Sequence, residues 1–308
     1  MTQNIKQTRP KHFLDLDQIE RTQVRNLVKR AQWFKEQGRE VQPLLNQKIL
    51  ACIFDKNSTR TRISFAVAMK RLGGDVLTLS GDELQSKRGE TLSDTARVLS
   101  CYVDAIMFRT HAHARLDEMA QNSKIPVING LTDSSHPCQI LADIQTVIEH
   151  FGRINGKKIA WIGDGNNVAL SWMHASQHFD FELSLGCPDL LAPSANIIDQ
   201  MRHQGGDINL YCDPDRAVKN ADVVVTDTWV SMGDDLKSRH NLLKPYQVNE
   251  TLMKKANKNA VFMHCLPAHR GEEVSAEVID GARSLVWSEA ENRLYAQMAI
   301  LEWCMGKE

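Results

Sequence analysis

The sequence predicts an α/β protein with two domains, each a doubly wound parallel sheet. Apolar runs of strand length alternate with stretches of helical period, which is typical of a parallel sheet covered by helices on both faces. The 308-residue chain is longer than one hydrophobic core usually becomes, which favours two domains. Because the pattern restarts at Gly152–Gly156, we expect domains over residues 1–150 and 151–289. We expect a C-terminal helix over 290–308 to pack back on the first domain.

The first half contains the stretches that we expect to form the first sheet and its helices. Short apolar runs predict buried strands, and apolar residues at helical spacing predict amphipathic helices. The predicted strands are residues 49–54, 76–79, 105–108 and 125–130. The predicted helices cover about 16–37, 58–72, 91–102 and 116–123, followed by a long helix that ends at about residue 151.

The second half repeats this alternation and predicts a second parallel sheet. The predicted strands are residues 158–162, 182–185, 207–211, 223–226, 260–264 and 284–287. A helix is expected over about 167–179, and a last helix over 290–305.

The start of the helix after the first strand is predicted to bind an oxyanion. The buried-type run Ile49–Phe54 is followed within a few residues by Ser58, Thr59, Arg60 and Thr61, and Ser58 is a good N-cap. Unpaired N–H groups and the helix dipole favour an anion at such a terminus by about 0.3–1 kcal/mol per charge interaction. Arginines add bidentate donors that suit a phosphate.

Polar residues also follow the other predicted strands, and ligands of open α/β sheets bind beyond the carboxyl ends of strands. In the first half these residues are Arg109, His136 and Gln139. In the second half they are Asn166, Asn167, Asp227, Ser231, Cys265 and Pro267. We expect an interdomain active-site cleft, with the first set suited to a phosphorylated substrate and the second to an amino-acid-like one. A turn histidine and an inert buried thiol are the structural alternatives for His136 and Cys265.

Composition narrows the functional class. The formal net charge is −1, with 42% hydrophobic and 24% charged residues, which gives no support to a nucleic-acid or membrane-surface role. The longest apolar runs are of strand length, so no membrane span is expected. The seven cysteines are scattered without a CxxC pair, which favours reduced thiols in a cytoplasmic protein and no structural zinc.

The segment Gly163-x-Gly165 invites a dinucleotide-binding interpretation. The third glycine of that fingerprint would fall at Val168, so the motif is too degenerate to predict a nicotinamide site. A nucleotide-dependent dehydrogenase is the alternative from a different functional class.

Over nearly its whole length the sequence resembles the aspartate/ornithine carbamoyltransferase family, and its later motifs resemble the ornithine branch. The segments that carry the resemblance are 58–62 (STRTR), 108–110 (FRT), 136–139 (HPCQ), 163–167 (GDGNN), 227–233 (DTWVSMG), 264–267 (HCLP) and 291–293 (ENR). The first and third are shared across carbamoyltransferases, whereas SMG and HCLP point to ornithine.

The resemblance implies transfer of the carbamoyl group from carbamoyl phosphate to the side-chain amine of L-ornithine, as in arginine biosynthesis. It implies no metal or organic cofactor, and a homotrimer in which Gln85 reaches into the neighbouring subunit's site. The implied catalytic residues are Arg109, His136, Asp227 and Cys265. The implied carbamoyl phosphate contacts are Ser58, Thr59, Arg60, Thr61, Gln85, Arg109, His136, Pro137, Cys138, Gln139, Cys265, Leu266 and Arg293. The implied ornithine contacts are Asn167, Asp227, Ser231 and Met232.

Other acceptors and one departure from the family pattern stay open at this point. Putrescine, N-acetylornithine or aspartate could replace ornithine as acceptor, although Ser231-Met232-Gly233 disfavours them. A non-catalytic regulatory relative is a further alternative. The family usually has Gln-Leu-Gly where this chain has Gln85-Ser86-Lys87, so the neighbour's loop loses a glycine.

Overall fold

The computed structural model describes residues 10–81, 89–229 and 236–306. Within them the chain forms two compact units, each with its own parallel sheet. The first unit comprises the described residues of 1–14, 37–133 and 297–308, and the second those of 15–36 and 134–296. The predicted contacts Gln85, Ser231 and Met232 lie outside the described residues.

The first unit is built on a four-stranded parallel sheet. Its strands are β1 (Ile49–Phe54), β2 (Asp75–Ser80), β3 (Ala105–Arg109) and β4 (Val127–Leu131), in the order β2-β1-β3-β4. Its helices are α2 (Thr59–Arg71), α3 (Leu92–Leu99) and α4 (His113–Asn122). The chain leaves β1 for β2 on one side and returns to β3 on the other, so the sheet has a topological switch point between β1 and β3.

The second unit is built on a five-stranded parallel sheet in the order β7-β6-β5-β8-β9. Its strands are β5 (Lys158–Ile162), β6 (Glu182–Gly186), β7 (Asp207–Tyr211), β8 (Val223–Thr226) and β9 (Val261–His264). Its helices are most of α1 (Arg21–Gln37), α5 (Pro137–Phe151), α6 (Asn167–Ser176), α7 (Ala195–His203), α8 (Pro214–Val218), α9 (Leu236–Leu243), α10 (Glu250–Met253), α11 (Ala276–Ile279) and the first half of α12 (Val286–Met305). The switch point of this sheet lies between β5 and β8.

The two parallel sheets confirm the predicted fold class, and the C-terminal helix returns to the first unit as predicted. Residues from Gln297 onward are grouped with that unit, where the Trp303 ring meets the Phe13 ring edge to face with 6.3 Å between centroids. The predicted domain boundary near residue 150 concerns ligand binding and stays a prediction. Contacts alone place α5 and most of α1 with the second sheet.

The predicted strand over 284–287 is wrong. Ser284 forms an isolated bridge to Phe262, supported by a hydrogen bond of 2.9 Å from Leu285 N–H to the Phe262 carbonyl. The chain then enters α12 at Val286, four residues before the predicted helix start. Short apolar runs do not distinguish a strand from a buried helix by period alone, which explains the error.

The predicted helix that begins at Leu16 is two elements. Asp15 caps a 3-10 helix over Leu16–Gln18, and α1 begins at Arg21. Ile19 is extended (φ −118°, ψ 138°), which interrupts the helical backbone between them. None of the helices in the described ranges combines the length and the hydropathy that crossing a membrane requires.

Candidate active site

The start of α2, where the sequence predicts an oxyanion site, is a capped helix terminus in the first unit. Ser58 is extended (φ −157°, ψ 110°), and its Oγ accepts a hydrogen bond of 3.3 Å from Thr61 N–H, which confirms the predicted N-cap. The Ser58 hydroxyl also donates to Thr61 Oγ1 at 3.1 Å. Arg109 Nη1 donates to the same Thr61 oxygen at 3.4 Å. The strand-end arginine and the capped helix start are therefore one cluster, next to the switch point of the sheet.

A bulge in the sheet places Arg109 there. Phe108 pairs with Asn129 but Arg109 pairs with Leu131, so the β3–β4 register shifts by one residue at Gly130. A Cβ atom on Gly130 would lie 2.3 Å from Met107 Sδ and 3.2 Å from Arg109 Cβ. A larger residue here would require the Met107 side chain to move, and bulges commonly re-aim a neighbouring side chain. The sequence signal was a glycine inside a strand pattern, which the sequence analysis did not use.

The carboxylate nearest to this terminus in the chain is engaged elsewhere. Asp55 Oδ2 accepts hydrogen bonds from Thr110 Oγ1 at 2.5 Å and from Arg115 Nη2 at 3.3 Å. Its negative charge is therefore balanced by Arg115, and the Thr61–Arg109 cluster keeps its positive character.

In the second unit, the start of α5 and the middle of α12 bring together three predicted residues. Arg293 Nη1 donates to Gln139 Oε1 and lies 3.5 Å from His136 Nε2. All three side chains are at least 95% buried. His136 is held by a hydrogen bond of 2.7 Å from its backbone N–H to Ser171 Oγ of α6. Gln139, His136 and Arg293 thus form a buried polar group.

Two carboxyl groups that the sequence analysis missed complete this group. Gln139 Nε2 donates to Asp143 Oδ1 at 2.7 Å and to Glu289 Oε1 at 3.0 Å. Glu289 Oε2 in turn accepts a hydrogen bond of 2.9 Å from the backbone N–H of His264. The sequence did contain a signal for them. Asp143 lies one helical turn after Gln139 in a mostly apolar helix, and Glu289 lies one helical turn before Arg293.

Burial controls the ionisation of these groups. Burial raises the pKa of Glu289 well above its usual range, and the charge of Asp143 adds to the effect. Burial also raises the pKa of Asp143. Burial raises the pKa of the Cys138 thiol to about 12, against the opposing charge of Arg293. Cys138 is therefore a neutral thiol and not a nucleophile.

The exits of β5, β8 and β9 form a second cluster in the same unit. Asp227 accepts hydrogen bonds from Cys265 Sγ at 3.1 Å, from Asn166 Nδ2 at 2.9 Å and from its neighbour Thr228 N–H at 2.8 Å. Asn166 also caps α6 by accepting from Val168 N–H and Ala169 N–H, so the same side chain starts the helix and orients the carboxylate. The predicted residue Asn167 is the first residue of α6 and is half-buried.

The turn after β9 has an unusual backbone. Leu266 has a left-handed φ of 58° and precedes a cis peptide bond to Pro267. Its N–H donates to His264 Nδ1 at 2.8 Å, and His264 Nε2 lies 3.3 Å from Glu273 Oε1. Positive φ at a bulky residue is uncommon and is typical of functional turns, since it persists only where the surroundings enforce it.

The Cys265 thiol is protonated at neutral pH. Burial raises its pKa well above the usual range, and the negative charges of Asp227 and Glu289 raise it further. Cys265 therefore acts as a hydrogen-bond donor to Asp227, and its sulfur is not a thiolate nucleophile or base.

Ligand atoms of Asp227, His264 and Cys265 lie within 4.8 Å of one another, close enough to hold a metal ion. The atoms are already used in hydrogen bonds, since His264 Nδ1 accepts from Leu266 N–H and the Cys265 thiol donates to Asp227. A metal would have to displace these bonds, so the arrangement fits a hydrogen-bonding cluster better than a metal centre.

The space beside Gly165 in the Gly163-x-Gly165 segment is occupied by the loop that contains Leu191 and Pro193. Gly165 N–H donates to the Leu191 carbonyl at 2.8 Å, and a Cβ atom on Gly165 would lie 2.5 Å from both the Leu191 oxygen and Pro193 Cδ. The glycine therefore serves packing against a neighbouring loop. This finding removes the main support for the dinucleotide interpretation.

Comparisons with known proteins agree over nearly the whole chain. A model described as "Aspartate/ornithine carbamoyltransferase, carbamoyl-P binding domain" matches residues 11–149, and one described as "Aspartate/ornithine carbamoyltransferase, Asp/Orn binding domain" matches residues 155–304. Ornithine carbamoyltransferases of Rhodopseudomonas palustris and Agrobacterium fabrum are each 54% identical over 301 residues, covering 96% of this chain and 97% and 98% of those proteins. The solved ornithine carbamoyltransferase of Pyrococcus furiosus superposes with a TM-score of 0.92 at 45% identity, covering 96% of this chain and 97% of that one.

The state of the Cys265 thiol leads to a prediction. Asp227→Asn removes a negative charge beside the sulfur, so the pKa of Cys265 should fall and iodoacetamide should modify the thiol faster at pH ~8. Each unit by which the pKa falls gives about tenfold more thiolate. The rate is measured by mass spectrometry of the Cys265 peptide.

A matched control exists in the same unit, where Cys212 Sγ donates to Asp189 Oδ1 at 2.5 Å. Asp189→Asn should accelerate modification of Cys212 and leave Cys265 unchanged. An unchanged Cys265 rate in Asp227→Asn would show that this carboxylate does not control the thiol.

Proposed function

The chain belongs to the aspartate/ornithine carbamoyltransferase family, and we propose that it transfers the carbamoyl group of carbamoyl phosphate to the side-chain amine of L-ornithine, giving L-citrulline and phosphate. The observation that carries the proposal is that the two family models match consecutive parts of this chain, residues 11–149 and 155–304. The first of these parts contains the Ser58-capped start of α2, which is the predicted oxyanion site. The proposal assigns carbamoyl phosphate to residues 1–150 and ornithine to residues 151–289.

The phosphate of carbamoyl phosphate is assigned to the start of α2. Ser58, Thr59, Arg60 and Thr61 supply hydroxyl, guanidinium and backbone N–H donors, and Arg109 is hydrogen-bonded into this cluster through Thr61. Each charge-assisted hydrogen bond to phosphate contributes about 1.5–3 kcal/mol. The same donors stabilise the phosphate as it leaves, because the departing group carries more charge than the phosphoryl group of the bound acyl phosphate.

The carbamoyl group is assigned to the donors and acceptors that the family resemblance implies for it. Thr61, Arg109 and His136 donate to its carbonyl oxygen, which becomes an oxyanion when the amine adds to the carbon. A well-aimed donor of this kind contributes roughly 3–4 kcal/mol to the transition state. The carbamoyl amide is assigned to Pro137, Cys138 and Gln139 at the start of α5 and to the carbonyl groups of Cys265 and Leu266, with Arg293 behind Gln139.

Ornithine is assigned to the cluster at the exits of β5 and β8. Asn167 takes the carboxylate, while Asp227, Ser231 and Met232 take the α-amino end. The attacking amine must lose a proton, because its ordinary pKa is ~10.4, which costs about 4 kcal/mol near neutral pH. Since the Cys265 thiol is already protonated, the proposal assigns this proton to Asp227.

Holding both reactants in line offsets that cost. Orientation of two bound reactants contributes up to about 7–11 kcal/mol, more than deprotonation of the amine requires. The reaction then balances without a metal or an organic cofactor. One proton of the side-chain ammonium passes to Asp227 before attack, the C–N bond forms, and the C–O bond to phosphate breaks. The second proton of the attacking nitrogen leaves with the phosphate.

The proposal extends to assembly, location and pathway. A homotrimer in which Gln85 of each subunit contacts the neighbour's carbamoyl phosphate follows from the family resemblance, as do a cytoplasmic location and a role in arginine biosynthesis. The replacement of the family's usual Gln-Leu-Gly by Gln85-Ser86-Lys87 falls in the segment that would make this contact between subunits. A single-chain mass by small-angle scattering at working concentration would contradict the shared site.

A comparison of acceptors tests the reaction itself. With carbamoyl phosphate, the protein should release phosphate and form citrulline with L-ornithine at a kcat/KM at least ~100-fold higher than with putrescine, N-acetylornithine or L-aspartate. Putrescine lacks the carboxylate assigned to Asn167, and in N-acetylornithine the α-amino group assigned to Asp227 is an uncharged amide. A site that binds a polar substrate group discriminates strongly against an analogue without that group. Equal turnover of putrescine or N-acetylornithine would assign a different acceptor.

The anion site is tested by Arg60→Ala. Loss of a charged donor to phosphate should weaken carbamoyl phosphate binding about 10-fold to 150-fold in calorimetry. Arg62→Ala is the matched control, because Arg62 lies in the same helical turn but is exposed, whereas Arg60 is half-buried. An equal loss of carbamoyl phosphate affinity in both variants would mean that any positive charge near α2 contributes equally. That result would contradict a specific phosphate contact by Arg60.

A further inference from the structure

Two carboxyl groups lie in contact inside the second unit, on helices that the sequence separates widely. Asp143 of α5 and Glu289 of α12 are each 1% exposed. Both side chains accept from the same donor, Gln139 Nε2, at 2.7 and 3.0 Å, which brings the two carboxyl groups close together. A hydrogen bond between two carboxyl groups requires a proton on one of them.

The charges around the pair favour one proton. Arg293 of α12 supplies a positive charge to both carboxyl groups, while Asp227 at the exit of β8 adds negative charge near Asp143. Two thiols lie near these groups: Cys265 after β9 is close to both carboxyl groups, and Cys138 of α5 is close to Arg293. Two histidines adjoin them, since His264 N–H donates to Glu289 and His136 Nε2 lies 3.5 Å from Arg293 Nη1. One shared proton leaves a net charge of −1 near Arg293, whereas two ionised carboxylates side by side would repel each other in a buried site of low dielectric.

The pair determines which way the Gln139 amide points. Both N–H groups of its amide are directed at carboxyl oxygens, so its oxygen is turned to Arg293. An amide oxygen has two lone pairs, and a hydrogen bond from Arg293 leaves the second able to accept from a ligand N–H. A flipped amide would place N–H groups against the guanidinium and would lose its bonds to both acids.

Glu289 also fixes the turn that follows β9. Its Oε2 accepts from His264 N–H at 2.9 Å, directly before the Cys265–Leu266 segment whose carbonyls are assigned to the same carbamoyl amide. One carboxyl pair therefore supports both acceptor groups that the proposed reaction needs for the carbamoyl NH₂.

We propose that Asp143 and Glu289 share one proton and act together as positioning residues, which hold the Gln139 oxygen and the Cys265–Leu266 carbonyls in the orientation that accepts the carbamoyl NH₂ group. The inference rests on the proposed function for the identity of the ligand, but not for the shared proton. Burial raises the pKa of both carboxyl groups, which agrees with a proton retained at neutral pH.

Infrared spectroscopy of the ligand-free protein tests the shared proton. The wild-type protein at pH ~7.5 should show the C=O stretch of a protonated carboxyl group, and either Glu289→Gln or Asp143→Asn should remove it. In each variant the remaining carboxyl group is ionised opposite Arg293 and needs no proton. A spectrum in which neither variant loses the band, or only one does, would overturn a shared proton. This readout involves no substrate, so its result is independent of the proposed function.

Kinetics test the positioning role. Glu289→Gln and Asp143→Asn should each raise the KM for carbamoyl phosphate about 10-fold, the effect of losing the orientation of roughly one hydrogen bond, while the KM for ornithine changes less than about 3-fold. Loss of the infrared band with an unchanged KM for carbamoyl phosphate would contradict positioning. Thermal unfolding identifies a variant that fails to fold. In that case the KM values of the other variant test the positioning role.

Glu149→Gln is the matched control. Glu149 also joins α5 to α12, since its Oε2 accepts from Asn292 Nδ2 at 2.9 Å, but its described hydrogen bonds do not include Gln139. The same acid-to-amide change there should preserve the infrared band and both KM values. Equal kinetic effects in Glu149→Gln and Glu289→Gln would reduce the pair to a general support of the helix contact.

Discussion

The proposed binding of a doubly charged phosphate requires donors that are already held in place, and the first unit provides such donors in one cluster. The α2 terminus, the Ser58 cap and the strand-end Arg109 meet at the switch point of one sheet, where parallel strands leave space beyond their ends. The β3–β4 register shifts at Gly130, next to Arg109, which donates to Thr61. The Asp55 carboxylate is paired with Arg115 and not with this cluster. The local fold thus gathers positive charge that no bulk property of the nearly neutral chain reveals.

The second unit holds several acidic side chains in place by hydrogen bonds, and one of them, Asp227, belongs to the proposed ornithine site. Asp227 is satisfied by Asn166, Thr228 and the Cys265 thiol, and the Asp143–Glu289 pair is satisfied by Gln139 and Arg293. Each buried charge has a partner, so the cluster can stay rigid in a region of low dielectric. Rigid acceptors and donors of this kind are what orientation of two reactants demands.

Local sequence patterns predicted most of the fold and the first-unit site, whereas contacts between distant segments could not be predicted. Ser58 could be recognised as a cap because its partner lies three residues away, and the strand ends could be recognised from apolar runs. Asp143 and Glu289 could not, because nothing in the sequence brings residues 146 positions apart into contact, and an acid in an apolar helix has many possible roles. The apolar run at 284–287 was misassigned for the related reason that its period is too short to distinguish strand from helix.

The central claim is that carbamoyl phosphate binds with its phosphate at the start of α2. A crystal structure with a bisubstrate analogue that joins a phosphonate to ornithine tests it most directly. We predict phosphonate oxygens within ~3 Å of the Ser58–Thr61 donors and of the Arg109 guanidinium. A phosphonate bound at any other place in the protein would contradict the account.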